Sequence, residues 1–191
     1  MRLNLAAFHY DRDNLQVLAL NQSNVNNISQ TLNATAKGNG FELEFDYRPV
    51  DTVQFFGGMS HLDANFTKFP GATIQYPVNA SGVWTGTPTG TGDLSGSRLP
   101  MGPAFTAFAG LTVKAPIGSW TGELTGFVRY SSSFDFTAGA GGPFKTDVQP
   151  AFTTAKLSGQ IVSPDERYSV GFFVDNLTNA KYYDFRYTTA P

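Results

Sequence analysis

The chain has no cysteine among its 191 residues. That excludes disulfide scaffolds, thiolate zinc sites and cysteine nucleophiles together. Charge is also scarce, at 15% of residues, against roughly 25% in an average soluble protein. No run of about 18 apolar residues exists, so no transmembrane helix is expected. Nor is there an apolar stripe at helical spacing. No basic cluster accompanies the net charge of −2, which excludes a surface for neutralising phosphates along a nucleic acid. His9 and His61 are the only histidines and have no spaced partner ligands, so neither a metal centre nor a catalytic base is expected. Asp11 and Asp13 lack the Gly and Glu that a calcium loop would place after them, and read as a polar patch. No enzyme activity and no cofactor follow from these residues.

What is present is aromatic and turn-rich. The chain holds 17 Phe, 8 Tyr, 20 Gly and 11 Pro, a mixture that suits short-turned β-structure. Asn33 to Val53 is the most informative stretch. Phe41, Leu43, Phe45 and Tyr47 alternate there with Glu42, Glu44, Asp46 and Arg48. Period-2 alternation gives a strand with one apolar and one wet face. A soluble sandwich gives the same pattern, but here every wet position in the run is charged. That suits a membrane barrel strand with lipid on one side and an aqueous lumen on the other.

Further strands are expected at Leu3–Leu20 (one strand or two collinear ones), Ile28–Arg48, Thr52–Phe66, Ala104–Lys114, Trp120–Phe134, Phe152–Ser163 and Tyr168–Asp175. Phe127 is the misfit on the polar side of its strand. Tight turns fall at 49–51, 115–118 and 164–167. Long or Asn/Gly-rich connections fall at 21–27, 67–103 and 135–150. Short turns on one rim and long loops on the other are the habit of outer-membrane barrels, which makes the former periplasmic and the latter extracellular. Tyr47, Trp120 and Tyr168 lie by the short turns. Phe66, Tyr130, Phe134, Tyr182 and Tyr183 lie by the loops, as two interfacial girdles would. The expected fold is all-β, an antiparallel up-and-down transmembrane barrel, here an open sector of about seven strands. Met1-Arg2 leads straight into strand-like LNLAAFHY with no apolar leader, so the expectation is a piece of a longer exported chain.

Three motifs resemble the TonB-dependent outer-membrane receptors. Asn33-Ala34…Gly40-Phe41-Glu42-Leu43-Glu44…Arg48-Pro49 is similar to that family's N-A-G…G-x-E-L-E…R-P run. Asp93-Leu94-Ser95-Gly96-Ser97-Arg98-Leu99-Pro100…Pro103 is similar to its D-L-S-G-x-R-L-P-x-x-P segment. Asn176-Leu177-Thr178-Asn179…Tyr182-Tyr183 is similar to its N-L-T-D-x-x-Y-Y element. The three stand in the family's order, and the resemblance covers nearly all of residues 1–191 as a partial barrel. Departures are the lack of a plug domain, of a TonB-binding segment and of the last strand. Counted back from a 22-stranded transporter, the strands would be roughly the fifteenth to the twenty-first.

The resemblance implies a receptor in the bacterial outer membrane that takes up a ferric siderophore or a similar scarce solute. The TonB–ExbB–ExbD complex would supply energy through the missing N-terminal part, and outer-membrane lipid would be the other partner. Tyr76, Trp84 and Arg98 in the first long loop, and Phe136, Phe144 and Lys145 in the second, are candidates for touching solute. Rings stack on catechols or sugars, and cations offset an anionic chelate. Glu42, Glu44, Glu123, Arg129 and Lys156 are expected to line the lumen wall. Two alternatives are a small self-closed structural or adhesion barrel and a soluble carbohydrate-binding sandwich that buries Phe41, Phe45 and Leu157 between two sheets.

Overall fold

The structure, a computed structural model, describes residues 1–21, 28–74, 90–138 and 147–186. Its first strands are β1 (Arg2–Asn21), β2 (Ile28–Val50) and β3 (Val53–Lys68). Two three-residue strands, β4 (Ala72–Ile74) and β5 (Gly90–Gly92), pair within the first long loop. β6 (Phe105–Ile117) and β7 (Trp120–Ser131) form a hairpin. β8 (Phe134–Asp135) and β9 (Val148–Gln149) pair at the base of the second long loop. β10 (Phe152–Val162) and β11 (Ser169–Val174) follow.

The seven long strands make one antiparallel sheet in the order β1-β2-β3-β6-β7-β10-β11. Each long strand lies beside its predecessor among them, and β1 and β11 are unpaired edges, so the sheet is open. This is the all-β, up-and-down arrangement expected from the alternation. Among the described residues no second sheet covers Phe41 and Phe45, which stay 36–37% exposed, or Leu157, which is partly exposed; a sandwich would have buried all three.

Register turns the local alternation into continuous faces, because residues directly opposite each other share a side. One row runs Leu3, Phe45, Gly57, Ala109, Val128 and Ala155. The next runs Leu5, Leu43, Met59, Ala107, Tyr130 and Thr153. This is the apolar face. On the other side a row runs Asn4, Glu44, Gly58, Phe108, Arg129 and Thr154, with a parallel one through Arg2, Asp46, Phe56, Gly110, Phe127 and Lys156.

Strand ends differ in detail from the sequence reading. Val50 pairs with Val53, so the first turn shrinks to Asp51 and Thr52 and β2 continues through Pro49. Ile117 pairs with Trp120, and Gly118 takes a φ of 64°, the left-handed conformation that a two-residue hairpin turn demands. β7 stops at Ser131, and Phe134 belongs to the small ribbon instead.

One apolar cluster is buried. Ala34, Ala36, Phe66, Phe69 and Ala72 form it, with Leu15, Val17, Leu32, Leu94, Leu99 and Ala138 packed around them. It lies on the same side as Glu42 and Glu44, toward the long-loop end. Leu15 and Val17 reach that side because β1 bulges between Arg12 and Leu15, with Asn14 at a φ of 56°. The extra residue shifts the phase of the alternation. Phe66, opposite Ala36, belongs to this core at 2% exposure, not to an aromatic girdle. Tyr47, Tyr130, Tyr168, Tyr182 and Tyr183 remain exposed.

Candidate functional site

The polar face and the long-loop rim are the surfaces with chemistry to offer. Along the polar face, several charges are matched strand to strand. Lys114 Nζ lies 3.2 Å from Glu123 Oε2, Lys156 Nζ lies 3.1 Å from Asp175 Oδ1, and Gln54 donates to Asp46 at 2.6 Å. Thr112 and Thr125 hydroxyls are joined at 2.9 Å. Lys114–Glu123 and Thr112–Thr125 are directly opposite and Gln54 is diagonal to Asp46, so these contacts support register more than binding. Glu42, Glu44 and Arg129 lie exposed on the same face, and none has an ion-pair partner among the described residues. Register puts Glu42, Glu44, Glu123, Arg129 and Lys156 on one face of the sheet.

An aromatic strip crosses that wall, which the sequence reading foresaw only as the misfit Phe127. Phe56 and Phe108 flank it, with ring centroids 6.3 and 5.9 Å from that of Phe127. Phe8 and Tyr10 stack at 6.4 Å further along the same face, and Arg12 lies 5.2 Å from the Tyr10 ring. Four of these five rings rest on a cross-strand glycine: Phe8 on Gly40, Tyr10 on Gly38, Phe56 on Gly110 and Phe108 on Gly58. Gly–aromatic pairs in register were the available signal. Phe55-Phe56 is a doublet, however, and one strand's pattern does not say which ring faces which way.

The two resembling loop motifs turn out to be structural latches. The Asp93–Leu99 segment folds back along the end of β3. Phe66 N–H donates to Ser97 O at 2.9 Å, Gly96 N–H to Phe66 O at 2.7 Å, and Leu99 N–H to Ala64 O at 3.0 Å. Phe69 N–H donates to Ser95 Oγ at 2.9 Å. Ser95 also donates its hydroxyl and its amide to Asp93 Oδ1, and this holds the Asp93 carboxyl below the usual carboxylate range. The Asn176–Asn179 element is a turn with Asn176 and Asn179 at φ of 52° and 50°. Asn176 closes it through Ala180, accepting its N–H at 2.9 Å and donating to its carbonyl at 3.0 Å. Thr178 ties the turn to β10 through Thr153 O at 2.7 Å.

Beyond that turn the chain reaches the second long loop. Tyr182 stacks on Phe152 at 4.8 Å, and Tyr183 N–H donates to Oε1 of the buried Gln149 at 2.8 Å. The loops also meet each other, for Met101 N–H donates to Asp135 O at 2.7 Å.

Of the six loop residues expected near solute, Tyr76, Trp84, Phe144 and Lys145 lie outside the described residues. Phe136 is 5% exposed and packs edge-on against Phe134 and Phe185 at 5.2 and 6.3 Å. Arg98 is exposed and bridges to Asn65. Asn65 pairs with Lys37 in the same phase as the Phe41–His61 pair, so Arg98 shares the side of the apolar face. The structure does not bring the two together. No group of three or more His, Asp or Glu side chains poised for a metal occurs among the described residues.

A two-faced, next-neighbour antiparallel sheet with short turns at one end and long loops at the other defines a sector of a β-barrel. Residues 1–177 match the sequence profile described as TonB dependent receptor-like, beta-barrel. The chain belongs to that family, whose members are outer-membrane β-barrel receptors and not enzymes. Among solved structures it is similar to BauA, the ferric preacinetobactin receptor from Acinetobacter baumannii, with a TM-score of 0.63 and 21% identity over 94% of the chain. The chain spans only 23% of that receptor. Comparison with curated proteins found no match.

Proposed function

We propose that this chain forms wall and rim of an outer-membrane transport receptor for a ferric siderophore or a similar scarce solute, driven by TonB-derived energy. The observation that carries the reading is the uncovered apolar face. In one row Leu5 is 73% and Met59 36% exposed, with Leu43 partly exposed between them, and nothing among the described residues covers them. Lipid is the natural cover for such rows, and water for Glu42, Glu44 and Arg129 opposite. Family membership and the likeness to a ferric preacinetobactin receptor support the transport reading.

In this reading the apolar face meets outer-membrane lipid, residues 67–103 and 135–150 are extracellular, and the turns near 51, 118 and 165 are periplasmic. Tyr76, Trp84, Phe144 and Lys145 supply the aromatic and cationic contacts to solute. TonB–ExbB–ExbD acts through parts of the receptor other than this sector. The test is uptake of radiolabelled ferric siderophores by iron-starved cells carrying the full-length receptor. Uptake that needs both the receptor and TonB is expected. A receptor found in the outer membrane whose deletion changes no siderophore, cobalamin or glycan uptake would overturn the reading.

A further inference from the structure

Between the latch of the first long loop and β6 the chain crosses Pro100-Met101-Gly102-Pro103. Both flanks of this span are fixed. Leu99 N–H donates to Ala64 O at 3.0 Å on one side. On the other, Ala104 O accepts from Leu62 N–H at 2.9 Å, and Phe105 N–H donates to Ser132 Oγ at 3.0 Å. Proline locks its own φ and biases the residue before it toward extended backbone. Pro100 and Pro103 therefore stiffen Leu99 and Gly102 as well as themselves, and Met101 keeps the freedom of the span. Met101 is also the residue that reaches the second loop, for its N–H donates to Asp135 O at 2.7 Å.

Met101 makes that bond from a conformation it does not favour. Its φ is 58°, in the left-handed region. Asn14, Asn176 and Asn179 also lie there, but asparagine tolerates the region through local hydrogen bonds of its short side chain. Methionine carries a Cβ and has no such bond to offer. The residue is 57% exposed, so packing does little to hold it. A strained φ persists only where its surroundings over-determine it. Here the anchored flanks and the bond to Asp135 do so.

The acceptor belongs to a closely tied unit. Asp135 lies in β8, opposite Val148 of β9, and Phe136 N–H donates to Asp147 O at 2.7 Å. The buried Gln149 takes the Tyr183 N–H, and Phe185 packs edge-on against Phe136. The segment after β11 is thereby tied to the base of the second loop. Ala138 adds an apolar contact with the cluster around Phe66 and Phe69, but such a contact has no direction. The Met101 bond does, because it forms only when the N–H is turned toward Asp135.

We propose that Met101 is a two-state joint coupling the bases of the two long loops. In its left-handed state the residue donates to Asp135, and the latch on β3, the β8–β9 ribbon and the segment after β11 are braced as one unit. When Met101 relaxes to an ordinary negative φ, its N–H turns away and the two bases part. Strain favours the second state and the hydrogen bond the first, so neither dominates by a wide margin. Any event that favours one state at either loop then acts on the other, and the coupling is reciprocal. The joint works in this way whichever solute the loops meet.

The test uses the full-length receptor in detergent micelles and reads hydrogen exchange residue by residue for wild type, M101G and M101V. Glycine takes the left-handed conformation without a Cβ clash, whereas valine, branched at Cβ, resists it and keeps the N–H. The amides of residue 101, Phe136 and Tyr183 should exchange about fivefold slower in M101G and about fivefold faster in M101V, the shift that a left-handed penalty of this order gives. Amides of the β6–β7 hairpin should keep their rates in both. Unchanged rates at Phe136 and Tyr183 beside a changed rate at residue 101 would overturn the proposal, since the joint would then move without being felt. An unchanged rate at residue 101 itself would also overturn it, because the joint would not have two states. Faster exchange throughout the hairpin in M101V would make Met101 a support of the sheet and overturn it equally.

Discussion

The ring of Phe56 lies across the bare backbone of Gly110, its partner in the β3–β6 ladder, and a Cβ at Gly110 would collide with that ring. Phe108 covers Gly58 on the same strand pair in the reciprocal way. The two pairs let the rings of Phe56, Phe108 and Phe127 lie along a wall that is otherwise largely polar and charged. Gly110→Ala should therefore push Phe56 off Phe127 and cost about 1–3 kcal/mol, the usual range for overpacking. Gly126→Ala, where a Cβ meets nothing within 4 Å, should be nearly neutral. Urea unfolding of the full-length barrel in vesicles measures both.

The two faces differ in what they tolerate. Leu43→Arg places a cation in the apolar band and should cost about 2–4 kcal/mol of folding into a bilayer. Glu44→Arg, one residue on and facing the opposite side, should cost much less. Equal costs in a vesicle-folding titration would show that the faces have been assigned wrongly.

The buried cluster closes the base of the first long loop. Phe66 and Phe69 meet at 4.7 Å between ring centroids, and both are 2% exposed. Phe66→Ala should cost about 3–5 kcal/mol at that site. It should also release the Asp93–Leu99 latch, so limited proteolysis should cut within residues 68–103 faster while the β6–β7 hairpin stays resistant.

The turn at Pro164–Arg167 titrates. Ser163 donates its hydroxyl to Asp165 at 2.7 Å, Arg167 N–H donates to the same carboxylate at 3.3 Å, and Tyr168 N–H donates back to Ser163 at 3.0 Å. These bonds favour the ionised form, so the Asp165 carboxyl lies below its ordinary value. A carboxylate depressed in the folded state stabilises it above the unfolded value, about 3.9, and that contribution fades as pH falls through the folded value. Hydrogen exchange at Tyr168 should speed up as pH drops below about 4, after correction for the intrinsic rate. Asp165→Asn should remove this pH step.

How much of this was legible from residues depended on how local the cause is. Alternation from Phe41 to Arg48 sufficed for β2, because one face is wholly apolar and the other wholly charged. Pairing across the three tight turns followed from connections too short to permit a crossover, whereas neighbours across the long loops followed only from the up-and-down barrel reading. The side taken by Phe66 was not legible. It depends on the pairing of Phe66 with Ala36, as the side of Leu15 and Val17 depends on the phase shift at Asn14, and neither leaves a mark in composition. The loop candidates were the weakest. Choosing aromatic and cationic side chains in a Gly-rich segment selects Phe136, which packs into its loop base, as readily as a residue that meets solute. Arg98 shows the same limit: only the Asn65 bridge reveals the side from which it is presented.

The absence of cysteine from these 191 residues lets the wall take one label at a time, once any cysteine elsewhere in the receptor has been replaced. Single cysteines at each position from Phe41 to Arg48 can be labelled with a fluorophore in the membrane-inserted, full-length receptor, then exposed to a quencher confined to the lipid tails. The two-faced wall predicts strong quenching at 41, 43 and 45 and little at 42, 44 and 46. Uniform quenching along the strand, or the opposite phase, would contradict it.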